Sequence, residues 1–151
     1  MTAGALAFEP LGPEDLANLD AARAWVKGHF TENQDEKYAP IEGKLRVIDA
    51  ILGNGWIELS ETRKLQSLGV AFGDAIAQKL MLDWVMVDDE FGRSPALNWP
   101  GSSLICSPVT MISKRVEEGE RVDVYDLFEV ITDRPERTVV VGPLCLTPKA
   151  P

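Results

Sequence analysis

LGVAFGDAIAQKLMLDWVMVDDEFGRSPALNWPGSSLICSPVTMISKRVEEGERVDVYDLF, residues 68–128, is the stretch whose pattern decides the fold. Its apolar residues first recur every three or four positions, which predicts a helix, and then form a short continuous run, which predicts a strand. A glycine-containing turn, a return strand and two short helices follow. We therefore expect an α+β domain, with N-terminal helices packed on a small, mostly antiparallel sheet and followed by two short helices.

Two glycines lie on the apolar face of the helix in this stretch. The helix is predicted over residues 61–79, with the Ser60 hydroxyl capping its first amides. A rotation of about 100° per residue places Gly69 and Gly73 on the same stripe as the large apolar side chains. Because glycine inside a helix costs about 1 kcal/mol relative to alanine, we expect another segment to pack closely there. The tryptophan-bearing hairpin is the expected partner.

The strands are less regular than the helix. Strands are predicted over residues 82–87, 96–99, 102–106 and 138–141. Bulky apolar side chains on both alternating faces of the first strand indicate that it is covered on both sides. Pro95 and Pro100 bracket the second strand and cannot donate to a ladder, so this strand is expected at an edge of the sheet.

The remaining helices have start signals of their own. They are predicted over residues 13–30, 41–52, 108–119 and 124–131. Ser107 and Asp123 are the expected caps of the last two, and residues 31–40 are read as a polar linker.

The chain is predicted to consist of a flexible leader (residues 1–12), a single α+β domain (residues 13–133) and an extended C-terminal tail (residues 134–151).

Charge narrows the class of partner. The 151 residues contain 15 Lys and Arg against 24 Asp and Glu, a net charge of -9. A surface of this sign repels nucleic acid and favours a basic or neutral protein partner.

We expect no membrane association, because no stretch reaches the roughly 20 apolar residues of a membrane helix. The first residues lack the positive charge of a secretory leader, which predicts a cytoplasmic protein.

Four segments together carry a resemblance to a known family: LGVAFG, WVMVDDEFGRSPAL, SPVTMISKR and EEGERVDVYDLF. In this order they resemble an uncharacterised bacterial family catalogued as a domain of unknown function. The resemblance covers residues 65–130 and leaves the first sixty outside. It implies a fold, and it implies no activity, cofactor or catalytic residue.

Two groups of charged residues form the candidate binding site. Its members are Asp88, Asp89, Glu90, Arg93, Lys114 and Arg115. The acids fall in the hairpin turn, and the last two cations fall on a short helix. One interpretation is a solvated turn with ion pairs to the helix, and the other is an anion site formed by the cations and the amides of residues 107–110.

No pattern indicates catalysis, a metal or a cofactor. The turn acids lack the spacing of a calcium loop, so we predict no metal site. His29 is the only histidine and lies beside an apolar helix stripe, which favours a packed, hydrogen-bonded side chain over a catalytic base. Cys106 and Cys145 are too few and too isolated for a disulfide framework, and Cys106 is expected to be buried.

We therefore expect a non-catalytic binding module of a bacterial cytoplasmic protein, similar in role to immunity proteins or adaptors. Acidic charge attracts basic partners without any chemistry. The alternative is a small hydrolase or anion-binding enzyme with its site between residues 88–93 and 107–115, with Asp89 or Glu90 as base and Arg115 as anion holder. Homo-oligomerisation through an edge strand is a further expectation.

Overall fold

The computed structural model describes residues 7–58, 60–89, 92–102, 104–134 and 140–141. Within them a run of helices is followed by antiparallel strands and then by two further helices, and this segregation confirms the α+β class. The helices are α1 (Pro13–Lys27), α2 (Gln34–Tyr38), α3 (Ile41–Gly53), α4 (Thr62–Leu80), α5 (Met111–Glu117) and α6 (Val124–Asp133). The strands are β1 (Ala7–Glu9), β2 (Asp83–Asp89), β3 (Gly92–Asn98), β4 (Leu104–Cys106) and β5 (Val140–Val141).

The five strands form one antiparallel sheet in the order β1-β2-β3-β4-β5. β1 lies in the segment expected to be a leader, and β5 lies in the segment expected to be a tail. The predicted last strand is confirmed at Val140–Val141, and residues 138–139 fall outside the described residues. The division into leader, domain and tail stays a prediction, as does the packing of the N-terminal helices as a layer on the sheet.

The prediction that the second strand lies at an edge is wrong. β3 pairs with β2 along its whole length and with β4 at Leu97 and Asn98. Backbone amides point to alternate sides of a strand, and the amide of Trp99 donates to the Leu104 carbonyl (3.1 Å). Pro95, four residues earlier, faces the same side, beyond the pairs that β4 makes. The missing amide therefore removes no ladder bond, and β3 can be an inner strand.

The glycines of α4 make the close approach that the sequence predicted. A Cβ on Gly69 would collide with the backbone of Val109, and a Cβ on Gly73 would lie 2.6 Å from the Trp84 ring and 2.7 Å from Pro108. Both glycines are buried. α4 therefore presses its glycine face against β2 and the segment before α5, and this contact offsets the helix propensity that glycine loses.

The helices differ from expectation at several points, and α1 ends at Lys27 and not at residue 30. α2 lies within the predicted polar linker, and the N-cap of α4 is Glu61 and not Ser60. The helix expected from Pro108 begins at Met111, because Pro108 is fully buried and the next residue lies against Gly69. Pro108 and Val109 therefore pack against α4 at the positions where the Ser107-Pro108 pattern predicted the first helical turn. The Asp123 cap is confirmed, since its carboxylate accepts the amides of Tyr125 and Asp126.

α4 also lies at the centre of the main hydrophobic core. Leu65, Leu68, Phe72 and Ile76 of α4 are fully buried. The same core contains apolar residues of α3, α5, α6 and the sheet, among them Leu45, Ile48, Ile51, Leu97, Cys106, Ile112, Val124, Phe128 and Ile131. A smaller cluster of Val87, Ala96 and Ile105, with Phe8 and Val85 against it, lies elsewhere on the sheet.

Substitution of Gly69 by alanine should destabilise the protein. Alanine gains helix propensity, but its Cβ meets backbone that cannot rotate away, and overpacking of this kind costs roughly 1–3 kcal/mol. Gly53→Ala is the matched control, since a Cβ there has nothing within 4 Å. Urea denaturation should give a lower free energy of unfolding for Gly69→Ala and an equal or higher one for Gly53→Ala. Equal stability of the two variants would show that the close contact does not constrain the fold.

Candidate functional site

Arg93 of the predicted site is engaged in a structural ion pair. Its Nη1 and Nη2 atoms donate to the two carboxylate oxygens of Asp15 at 2.6 and 2.8 Å, and its Nε donates to Glu9 at 3.3 Å. The guanidinium thus joins β3 to β1 and to the start of α1. A fork bound to carboxylates in this way has little left to offer an anion.

The other candidate residues are distributed over separate elements. Asp88 is exposed on β2 opposite Arg93 in the register, whereas the Asp89 side chain and Glu90 fall outside the described part of the chain. Lys114 is exposed on α5, and Arg115 donates to the Met111 carbonyl of the same helix (2.9 Å). Among the described side chains, no ion pair joins these two cations to an acid. Their grouping with the hairpin acids stays a prediction.

The chain has a polar centre that the sequence analysis missed, at Asp74 on α4. Arg23 donates to both Asp74 oxygens through Nε and Nη2 (2.8 Å each). The Tyr38 hydroxyl donates to Oδ2 (2.6 Å), and the Trp84 indole donates to Oδ1 (2.9 Å). One carboxylate therefore connects α1, α2, α4 and β2. The only sequence signal for this centre is that Asp74 directly follows Gly73, one of the two glycines on the apolar face of α4.

Burial and charge act together on this centre. Only 12% of the Asp74 side chain and 20% of the Arg23 side chain are exposed. Burial raises the pKa of Tyr38, and the negative charge of Asp74 raises it further. The hydrogen bond to Asp74 raises the pKa of Arg23. Both groups are thereby held in the protonated form in which they donate to Asp74, so the centre connects the elements that carry them.

Lys44 extends the same centre to α3. Its Nζ donates to the Ala39 carbonyl (2.6 Å) and to Gln78 Oε1 (2.7 Å), and it lies 4.8 Å from the centroid of the Tyr38 ring. Burial lowers the pKa of Lys44. Within the described residues, no buried side-chain nitrogen or oxygen lacks a hydrogen-bond partner. The interior polar groups there are satisfied by the protein itself, which is the pattern of a structural network.

A concave surface lies elsewhere, where α3 ends beside the loop between α5 and α6. This cleft, the acidic cleft, has a volume of about 550 Å³. Its lining residues are Asp49, Leu52, Gly53, Gly55, Ile57, Leu65, Val116, Glu120, Arg121, Val122, Asp123 and Tyr125. Two glycines with positive φ lie in the turns that precede or border the cleft. Gly55 (φ 66°) follows α3 and lines the cleft, and Gly119 (φ 81°) follows α5, next to the lining residue Glu120.

The cleft combines an apolar floor with an acidic rim. Asp49, Glu120 and Asp123 provide three carboxylates against the single guanidinium of Arg121. Tyr125 is 40% exposed on the rim. Partial burial raises the pKa of its hydroxyl, and the negative charge of Asp49 adds to the effect. The arrangement suits a ligand that brings both positive charge and apolar surface.

A second hollow of about 530 Å³ continues the acidic surface along α6. It is lined by Lys79, Asp126, Glu129, Val130, Thr132 and Asp133. Like the cleft, it has more carboxylates than cations. It is more open, so the acidic cleft remains the better candidate for specific recognition.

The single histidine is packed between tryptophans near the cleft. His29 lies edge-on to Trp25, with ring centroids 4.6 Å apart, and is stacked on Trp56 at 5.7 Å. Its Nδ1 is 3.0 Å from the Trp25 carbonyl oxygen. The prediction of a partly buried, hydrogen-bonded histidine is confirmed. Cys106 is buried, as expected.

In the described segments, no three His, Cys, Asp or Glu residues are arranged to hold a metal ion. None of the helices in those segments has the length and apolar character needed to cross a bilayer.

Comparison with known proteins adds a family and a fold. The family described as Domain of unknown function (DUF3806) matches residues 44–128, more than half of the chain. The expected resemblance over residues 65–130 is thus confirmed, and the match begins earlier than expected, at Lys44. No curated protein matches the chain.

A crystal structure of a protein from Bacteroides thetaiotaomicron VPI-5482 is similar in fold, with a TM-score of 0.71 and 14% sequence identity. The similarity covers 88% of this chain and 49% of the other protein, so this chain spans about half of that protein's length. At this identity the likeness concerns the fold alone.

Loss of the Asp74 carboxylate should destabilise the fold strongly. In Asp74→Ala the Arg23 charge and two further donors lose their acceptor, and removal of one partner of a buried pair costs about 3 kcal/mol or more. Glu42→Ala is the control, because it breaks only the exposed Arg46–Glu42 pair, worth about 0.5 kcal/mol or less. Thermal and urea unfolding would measure both. Similar losses in the two variants would contradict the role of Asp74 as a connector.

The Asp15–Arg93 pair should make stability depend on pH in the acid range. The hydrogen bond from Arg93, followed by that from the Gly12 amide, lowers the pKa of Asp15 from 3.8 to about 2. Its contribution to stability is therefore present above pH 4 and lost as the pH falls through about 2. Asp15→Asn should show a smaller loss of stability over this range. NMR titration of the Asp15 carboxyl carbon checks the pKa directly, and a midpoint near 4 would contradict the pairing.

Proposed function

The chain belongs to the DUF3806 family, and from its surface we propose that it is a non-catalytic binding module whose acidic cleft receives a basic segment of a protein partner. The role is that of an immunity protein or an adaptor, in which recognition is the function. The proposal includes a rigid scaffold, with the N-terminal helices as a layer on the sheet. It places the protein in the cytoplasm of a bacterium.

The observation that carries the proposal is the composition of the acidic cleft. Three carboxylates surround a floor of Leu52, Ile57 and Leu65 in a hollow of about 550 Å³. Apolar floors supply affinity, whereas charged rims supply orientation and association rate. The excess of acids continues along α6 and agrees with the net charge of -9. A basic segment with apolar side chains complements both properties.

The alternative of a hydrolase or anion-binding enzyme has less support. It requires cations that are available to a substrate between residues 88–93 and 107–115. Arg93 is bound to Asp15 and Glu9, and Arg115 donates to its own helix. The anion site also required the free amides of a helix that starts at Ser107. The helix begins instead at Met111. These contacts favour a structural role for the two arginines.

Neutralising two carboxylates on the rim of the cleft should weaken capture of the partner. We expect wild-type protein, immobilised and exposed to an extract of its own cells, to retain a basic protein that elutes as salt is raised. The double variant Asp49→Asn/Glu120→Gln should retain it at least about tenfold more weakly, equivalent to about 1.4 kcal/mol. Isothermal titration calorimetry with the purified partner measures the difference.

A matched control separates the cleft from general charge. Glu32→Gln/Glu36→Gln changes the net charge by the same amount at exposed positions outside the cleft. It should bind like the wild type. If both double variants lose the partner equally, the attraction is only the net charge of the protein, and the cleft is not the site. If nothing basic is retained by the wild type, the proposal of a basic partner is wrong.

A further inference from the structure

Trp56 is an exposed aromatic side chain beside the acidic cleft. It is 53% exposed, whereas the other three tryptophans are partly buried. The residues on either side of it, Gly55 and Ile57, both line the cleft. The chain at Trp56 therefore borders the proposed binding surface.

One face of the Trp56 ring is supported by a histidine. His29 stacks against one face at an interplanar angle of 16°, and His29 is itself held by the edge contact with Trp25 and by its hydrogen bond to the Trp25 carbonyl. Among the described residues, no second ring lies on the opposite face. The result is a supported aromatic platform with an open face, which loses little conformational entropy when a ligand stacks on it.

The charge beside this platform indicates what stacks on it. Asp49, Glu120 and Asp123 give the adjoining cleft an excess of negative charge, and Glu58, two residues after Trp56, is also exposed. Cations are attracted to the face of an indole ring, most strongly when they are also near acids. A guanidinium is planar and weakly hydrated, so it stacks on an aromatic face better than an ammonium does.

We propose that Trp56 is a specificity element that selects arginine: the basic segment bound in the acidic cleft places an arginine side chain on the open face of the Trp56 indole. This inference rests on the proposed function and names the residue type that the surface recognises. The cleft acids recognise positive charge in general, whereas Trp56 discriminates arginine from lysine.

The test uses three synthetic peptides of twelve residues with the same leucine and glycine background. One carries three arginines, the second three lysines and the third three neutral citrullines. Each is titrated into the full chain, and the indole N–H signals are followed by NMR, with assignment of Trp56 from the Trp56→Phe spectrum. Dissociation constants are measured for wild type, Trp56→Ala, Trp56→Phe and, as an exposed apolar control, Leu16→Ala.

We expect the wild type to bind the arginine peptide about two- to fivefold more tightly than the lysine peptide, the range of an exposed cation–π contact. The preference should vanish in Trp56→Ala, persist in part in Trp56→Phe and remain unchanged in Leu16→Ala. The Trp56 indole signal should shift with the arginine peptide in particular. The citrulline peptide, which has a similar shape without charge, should bind most weakly.

Failure of this inference is distinguishable from failure of the proposed function. If Asp49→Asn/Glu120→Gln weakens both cationic peptides but Trp56→Ala leaves their ratio unchanged, the cleft binds cations and the arginine role of Trp56 is wrong. If citrulline and arginine peptides bind equally, the platform recognises shape and the inference is also overturned. If neither cationic peptide binds the wild type, both proposals fail. A wild-type dimer that Trp56→Ala abolishes, seen by analytical ultracentrifugation, would assign the platform to a second copy instead.

Discussion

The close approach of α4 to β2 and to the segment before α5 is the constraint on which the rest of the structure depends. Gly69 and Gly73 leave no room for a Cβ, so the helix axis lies nearer to Trp84 and Val109 than side chains would allow. This position determines where the large residues of α4 enter the core. It also sets the start of α5, because the chain is occupied by packing until Thr110.

Asp74 follows directly after this contact and converts it into a polar connection. Its carboxylate accepts hydrogen bonds from Arg23, Tyr38 and Trp84, so the same turn of α4 is joined to α1, α2 and β2. A buried carboxylate is costly unless its charge and lone pairs are satisfied, and here the geometry satisfies them. Charged groups inside the protein are thereby used for structure.

The acidic cleft is a product of how helices end. α3 stops at glycines, α5 turns at Gly119 and α6 starts at the Asp123 cap, so backbone turns and capping acids collect around one hollow. Helix ends of this kind bring polar residues next to the edge of a hydrophobic core. The resulting mixture of carboxylates and apolar side chains complements the basic segment that we propose as its ligand, with Trp56 as the proposed discriminating residue.

The sequence by itself determined the elements that depend on local physics. Apolar periodicity located α1, α3 and α4, the Asp123 side chain predicted the start of α6, and the α4 glycines predicted a close contact. Only the tertiary structure decided which distant groups meet: Arg93 binds Asp15, Asp74 gathers three donors, and the acidic cleft forms from segments some seventy residues apart along the chain. Local patterns report the torsional and hydrophobic preferences of neighbouring residues. They carry no information on the contacts between distant segments, so the candidate site had to be read from the folded chain.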